Sequence, residues 1–419
     1  MSFNLTSRQQ KLLETAKALS AEFSANSKEY DDRAEFPVEN FARLHEAGLL
    51  GLAVPEAYGG SGSETGNAHL AAYLVTEAIS RGCSGLGWDL IIHYHQCGAV
   101  TRLGNEEQKT RILGDVVKNG AIMGSLGSEV NHQQQTAPSN ASRKLTFDAQ
   151  MMPVEGGFRA TAAKHFCSNA PAADYMLYWS LAPGTQSMGE GLTLSIVTKG
   201  SPGLNFQRNG WDDIIGLRSS VSVSATLDDV FIPWKNVLGE PGDFIQKDPY
   251  TLELSQAFHL VGSAQGAFDC IAKTLKDRPF LQKEEGLMVT FGEFSSAIQA
   301  ARGSCLLASS LWDERQFGEA ALASLRAHHM AREVALDVAT RGFDLIGTRS
   351  LFKTMPLQRY WRDIRTASLH TRDSQLVRLI ADADLAGEYA PKQKYGARVD
   401  ELMTWEKLGL KREGAAVAA

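Results

Sequence analysis

The residues of this sequence that could do chemistry stand in four places. His370 lies in SLHTRDSQ, eight residues beyond Arg362, with Thr371, Asp373 and Ser374 close behind it. An imidazole holds or releases a proton near neutral pH, so His370 suits acid–base work. The plain alternative is a histidine at a helix end, bonded to a carbonyl. His93 and His95 flank Tyr94. Residues two apart do not share a helix face, so at most one of them points into a site. No third ligand follows at a fixed spacing, so a metal is not expected from this pair. Lys164 to Asn169 reads KHFCSN. It sets an aromatic ring, a thiol and a hydroxyl side by side; the plain alternative is a buried edge strand with a satisfied serine. Glu253 and His259 fall six residues apart in a strongly apolar stretch, where a solvated glutamate and a bundle histidine are the commoner outcome.

These residues need elements to position them. Leu12, Leu13, Ala16, Leu19 and Phe23 recur at helical spacing, as do Phe41, Leu44 and Leu49. Residues 1 to about 120 therefore read as helices, with breaks at Pro37, Pro55 and Gly59-Gly60. Asn105 can cap a helix whose first turn carries Glu106 and Glu107. From Gly124 to Glu240 alternation replaces helical spacing. The expected strands are Phe158–Ala163, Tyr175–Leu181, Leu192–Val197, Leu204–Asn209 and Val221–Val230. From Pro241 the pattern returns to four or five long helices, a natural antiparallel bundle, and the tail KREGAAVAA reads as frayed.

The bulk numbers narrow the class. A chain of 419 residues exceeds one hydrophobic core, so two or three domains are expected. A net charge of −6 argues against a nucleic-acid surface. No apolar run is long enough to cross a membrane. Five scattered cysteines without a CxxC pair suggest neither a disulfide framework nor zinc, and fit a cytoplasmic setting. Dinucleotide fingerprints, P-loops and nucleophile elbows are missing from the sequence.

Several segments are similar to the acyl-CoA dehydrogenases. EYDDRAEFPVENFARLHEAGLLGLAVPEAYGGSG resembles their N-terminal helical domain, and GLRSSVSVSATLDDVFIPWKNVLG the end of their β-domain. Trp361-Arg362-Asp363 and Ser374-Gln375 match the segment that carries their catalytic glutamate. The resemblance implies an α+β fold in three parts: an N-terminal α-helical domain over 1–122, a central β-barrel or sheet domain over 123–240, and a C-terminal four-helix bundle over 241–419. It also implies a homotetramer. The family's Glu-Gly-Thr, however, is Thr371-Arg372-Asp373 here, so the usual base is missing from its usual place.

That departure, with Phe166-Cys167-Ser168 and Leu369-His370, resembles another branch of the same fold. This branch is the two-component flavin-dependent monooxygenases (group D), which include dibenzothiophene monooxygenase and the nitrososynthases. What it implies is oxygenation of a small, aromatic or heteroatom-bearing substrate through a C4a-(hydro)peroxyflavin. The co-substrates would be reduced flavin (FMN or FAD) and O2, with a separate NAD(P)H:flavin reductase as partner. Ser168, His370 and His93 or His95 would be catalytic, and the resemblance slightly favours His93. Ser128, Phe166, Cys167, Ser168, Arg278 and Thr371 would bind the flavin, whose ring needs a flat apolar wall and donors to N5 and O4. The family's adenosine-binding glycines are absent, with FDLIGTRSLF in their place, which suits a flavin that arrives reduced and leaves oxidised. A dehydrogenase acting on acyl-CoA or acyl-carrier thioesters is the alternative, with Glu253 or Asp373 as a relocated base. A flavin-bearing nucleic-acid binder is a third reading, disfavoured by the acidic balance.

Overall fold

A computed structural model describes residues 5–62, 70–129, 148–149, 151–246, 252–387 and 403–410. The expected C-terminal tail lies outside them. Five helices open the chain: α1 (Ser7–Arg33), α2 (Val38–Glu46), α3 (Leu70–Gly82), α4 (Ser84–Leu103) and α5 (Glu106–Asn119). Helix α1 starts with Thr6 and Gln9 in a reciprocal capping box and buries Leu13, Ala16, Leu19 and Phe23. Helix α5 starts the same way with Asn105 and Gln108, and Glu106 and Glu107 fill its first turn. Helix α4 differs from both. Nearly every residue on it is buried, whichever way it faces, as befits a helix enclosed on all sides.

Two four-stranded sheets follow. One has the order β1-β4-β5-β8, from Met123–Leu126, Tyr175–Leu181, Leu192–Thr198 and Val237–Leu238. The other has the order β2-β3-β7-β6, from Met151–Val154, Gly157–Cys167, Val223–Pro233 and Leu204–Gln207. Strands β1, β2 and β8 are not among the expected strands. They read MGSL, MMPV and VL, short segments without the alternation that the equally short LNFQ of β6 shows. Strand β3 runs four residues past its expected end, and its register with β7 slips by one between Lys164 and Cys167. Such a bulge re-aims side chains.

Helices α6 (Glu253–Asp277), α7 (Glu285–Asp313) and α8 (Phe317–Ile346) form the bulk of the bundle, joined by α9 (Pro356–Ala367) and α10 (Asp373–Ala386). No helix among the described residues is long and apolar enough to cross a membrane.

Beside a small cluster of Ala34, Trp211, Val221 and Val223, two large cores make up most of the apolar interior. One core joins the N-terminal helices to the sheets; the other fills the bundle. Helix α4 belongs to both: Leu86, Leu90 and Cys97 pack in the first, Trp88, Ile91 and Ile92 in the second. It is the wall between them, and the candidate site lies along that wall.

Candidate active site

The end of β3 supplies one side. The bulge leaves Phe166 at φ +52° with its ring 67% exposed. A phenyl ring on a left-handed backbone in solvent is costly, and such strain collects at functional sites. Ser168 follows, buried, its hydroxyl 2.7 Å from that of Ser222, which lies 2.8 Å from that of Ser220. Three hydroxyls carry three protons and share two hydrogen bonds, so one O–H remains to donate to an acceptor. Asn169, at φ +62°, donates to the carbonyls of Asp89 on α4 (2.8 Å) and Met123 on β1 (3.2 Å).

The loop before β7 is strained as well. Leu217 has φ +52° and Val221, β-branched, φ +44°. The loop is pinned to α9 by the Leu217 N–H, which donates to Asp363 Oδ1 at 2.7 Å. At Gly216 a Cβ would come 2.1 Å from the Arg362 carbonyl oxygen, so only glycine fits there. Arg362 in turn grips Asp31 on α1 with two N–H groups, at 3.0 and 2.5 Å.

The opposite side is the turn after α9. His370 is exposed, and its Nδ1 lies 2.7 Å from Nε2 of Gln256 on α6. The Thr371 hydroxyl donates to Oε1 of the same amide at 3.2 Å. Trp88 of α4 meets His370 edge-on at 5.2 Å and His259 at 5.5 Å. Asn169 holds the carbonyl of the residue next to Trp88, so the Ser168 turn and His370 meet along one stretch of α4.

Other expected residues are placed differently. His93 is fully buried with both ring nitrogens engaged. Nδ1 accepts the Met123 N–H at 3.2 Å, so Nε2 carries the proton and donates to the Leu50 carbonyl at 3.2 Å. Burial lowers its pKa to about 4. It fastens α4 to β1 and is in no position to carry protons, against the slight preference for it over His95. His95, seven residues after Trp88, returns to the Trp88 face of α4 about 10 Å further on. It is buried between Trp179 and Phe244, each 6.4 Å away. Cys167 points into the core with its thiol pushed up to about 12 by burial, so its side chain cannot line a cofactor.

Ser128 is exposed at the end of β1, and its carbonyl accepts the His165 N–H at 2.9 Å. The neighbouring Glu129 pairs with buried Lys164 at 2.5 Å. Burial pulls the Lys164 pKa down, against that pairing. Arg278 ends α6, about 33 Å along the helix from Gln256, and does not join this site within one chain. Asp373 is engaged by His329 at 2.9 Å and Arg332 at 3.7 Å. Glu253 is buried one helical turn before Gln256. His259 is buried against the Ser84 carbonyl at 2.9 Å and serves helix packing.

Sequence reasoning missed Gln256, Trp88, Asp89 and Asn169. Asp89 is fully buried on α4, and among the described residues neither of its carboxyl oxygens has a hydrogen-bond partner; the same holds for Oδ1 of Asn169. Burial first, and then the charge of Asp363, lift the Asp89 pKa well above the carboxylate range. Asp363 is raised to about 6, by burial and then by Asp31. The one sequence signal for Asp89 was an acid inside a long apolar run.

Comparison with known proteins gives these features a family. The acyl-CoA dehydrogenase N-terminal domain matches residues 6–120, and the acyl-CoA dehydrogenase C-terminal domain matches residues 254–375. The short-chain acyl-CoA dehydrogenase of Clostridium acetobutylicum is 26% identical over 91% of this chain and 98% of its own. The dibenzothiophene monooxygenase of Rhodococcus erythropolis is 25% identical over 89% of this chain and 93% of its own. Among solved structures, FMN-bound TdsC of a Paenibacillus species superposes with a TM-score of 0.80 at 21% identity, covering 92% of this chain and 99% of that one.

Proposed function

This chain belongs to the acyl-CoA dehydrogenase family of oxidoreductases, and on that premise we propose that it is the oxygenase component of a two-component flavin-dependent monooxygenase. One observation carries the reading. The turn after α9 presents an imidazole and a hydroxyl bridged by a buried amide, while the acid beside them, Asp373, is tied to His329 and Arg332. A similarity to dibenzothiophene monooxygenase over most of the chain agrees with it.

The residues present fit a flavin. Phe166 is an exposed, strained apolar wall, and the Ser168–Ser222–Ser220 chain keeps one O–H for a ring acceptor. Reduced FMN or FAD, when bound, supplies the electrons with which O2 gives one atom to a substrate. Phe166 would cover the ring and Ser168 would donate to it, with Ser128 and Thr371 at its margins. His370 would hold a proton at Nε2 against a substrate heteroatom. The two apolar cores on either side of α4 would keep water from the seam. The substrate is a small aromatic or heteroatom-bearing molecule, and a separate NAD(P)H:flavin reductase supplies the flavin. A cytoplasmic homotetramer completes the proposal; exposed Val289, Leu307 and Met330 on the bundle suit association.

Glu253 favours a second reading. A buried carboxylate one turn from Gln256 could remove the α-proton of an acyl thioester, as in a dehydrogenase. The test is direct. Protein mixed with reduced flavin and O2 should oxygenate an aromatic sulfur or nitrogen compound, and Glu253→Gln should leave that turnover in place. Anaerobic bleaching of bound flavin by an acyl-CoA, lost in Glu253→Gln, would replace oxygenase with dehydrogenase.

A further inference from the structure

Among the described residues, the Gln256 side chain serves only this turn: its two polar atoms go to consecutive residues, His370 and Thr371. The side chain is 2% exposed and projects from α6, 114 residues away in sequence. A buried amide must have its hydrogen bonds met, because leaving one unmet in the interior is costly. Its two ends differ, so each partner is told which role to take. Thr371 donates to the carbonyl end, which leaves the NH2 end facing His370. An NH2 group has nothing to accept with, so the ring nitrogen it meets must be an acceptor.

We propose that Gln256 is the positioning residue for His370, holding it as the tautomer with Nδ1 bare and the proton on Nε2. The inference rests on the oxygenase reading for its purpose, since a donor at Nε2 is what His370 would present to the substrate. Trp88 completes the restraint. Its ring, 4% exposed, meets the imidazole edge-on at 5.2 Å and limits the swing of the side chain about the hydrogen bond at Nδ1. Without the amide, an exposed histidine would sample both tautomers and several rotamers, and only part of the population would offer the proton at the right atom.

The test begins with the resting protein and needs neither flavin nor turnover. Nitrogen-15 shifts of the labelled full chain, with the His370 signal assigned by its loss in His370→Asn, report which ring nitrogen carries the proton. The expected result is a bare Nδ1 and a protonated Nε2 in the neutral ring. A protonated Nδ1, or an even mixture, would overturn the proposal. Two variants extend the test. Gln256→Leu should mix the tautomers and lower kcat about tenfold, with KM within about twofold. Gln256→Glu turns the partner into an acceptor. It should move the proton to Nδ1 and raise the His370 pKa by about one unit or more, seen as a matching shift of the pH profile. An unmoved tautomer and pH profile in a folded Gln256→Glu protein would overturn it as well. If the tautomer behaves as stated while no substrate is oxygenated, the functional reading fails and the positioning role stands.

Discussion

His93 and His370 are the same residue in two unlike settings on either side of α4. Toward the sheets, His93 is sealed in protein, with a main-chain donor at one nitrogen and a main-chain acceptor at the other. Toward the bundle, His370 is exposed, with the Gln256 amide at its Nδ1. The first has spent its hydrogen bonds on joining elements and is kept neutral by burial. The second, in the proposed reading, holds its proton at Nε2 for a substrate. Residue type marks both positions, but burial and partners separate a fastener from a proton carrier.

The largest effect expected from this contrast is on turnover. His370→Ala should lower oxygenation at least about 100-fold, the usual scale for a lost general acid or base, while flavin binding and the melting temperature stay near wild type. Single-turnover assays with reduced flavin, beside a thermal melt, check it. Unaltered turnover would remove His370 from the mechanism.

His93→Ala should do the reverse. Losing a buried ring and leaving the Met123 N–H and Leu50 carbonyl unmet should cost about 3 kcal/mol in denaturant unfolding, yet the folded fraction should keep its rate per bound flavin.

The pH dependence of stability sharpens the comparison. The folded pKa of His93 is depressed to about 4, as is that of His259. Their contribution is present above the unfolded value of about 6.5 and is lost as pH falls through about 4. The protein should therefore lose stability over that window, and His93→Gln should flatten part of the slope.

Asp89 has the opposite sign. Its folded pKa is raised, so the stability linked to its proton is present below the unfolded value of about 3.9 and is lost as pH rises. Asp89→Asn should leave stability unchanged or raise it by about 1 kcal/mol at pH 7, and by less near pH 4. A marked loss at pH 7 would mean that the ionised form has a role.

The smallest effect belongs to Ser168→Ala. Loss of one donor should weaken flavin binding by about 1 kcal/mol, a fivefold or so rise in Kd by fluorescence titration.

Much of this molecule is readable in its residues. Leu13, Ala16, Leu19 and Phe23 give α1 its buried face, and the Asn105 capping box starts α5. Five strands are visible because their region alternates apolar with polar or β-branched residues, even in the four-residue LNFQ of β6. Strands β1, β2 and β8 are not, because MGSL, MMPV and VL carry no alternation. His370 and Ser168 stand out through the segments they share with known families. The strained loop does not, since nothing in Leu217 or Val221 announces a left-handed backbone. Arg278 shows the converse: a matching residue at the far end of a rigid helix, where a motif gives no distance.

The sequence by itself determined the long helices and five of the eight strands, and which types of side chain stand at the turn after α9. Those follow from local spacing, cap chemistry and the order of residues along the chain. Only the tertiary structure decided that Gln256 would grip His370, that Asp89 would be left without a partner among the described residues, and that His93 would be used up by the main chain. The physical reason is that the state of a polar group is set by what surrounds it in space. Those neighbours come from elements many residues away, brought together by two apolar cores closing on one buried helix.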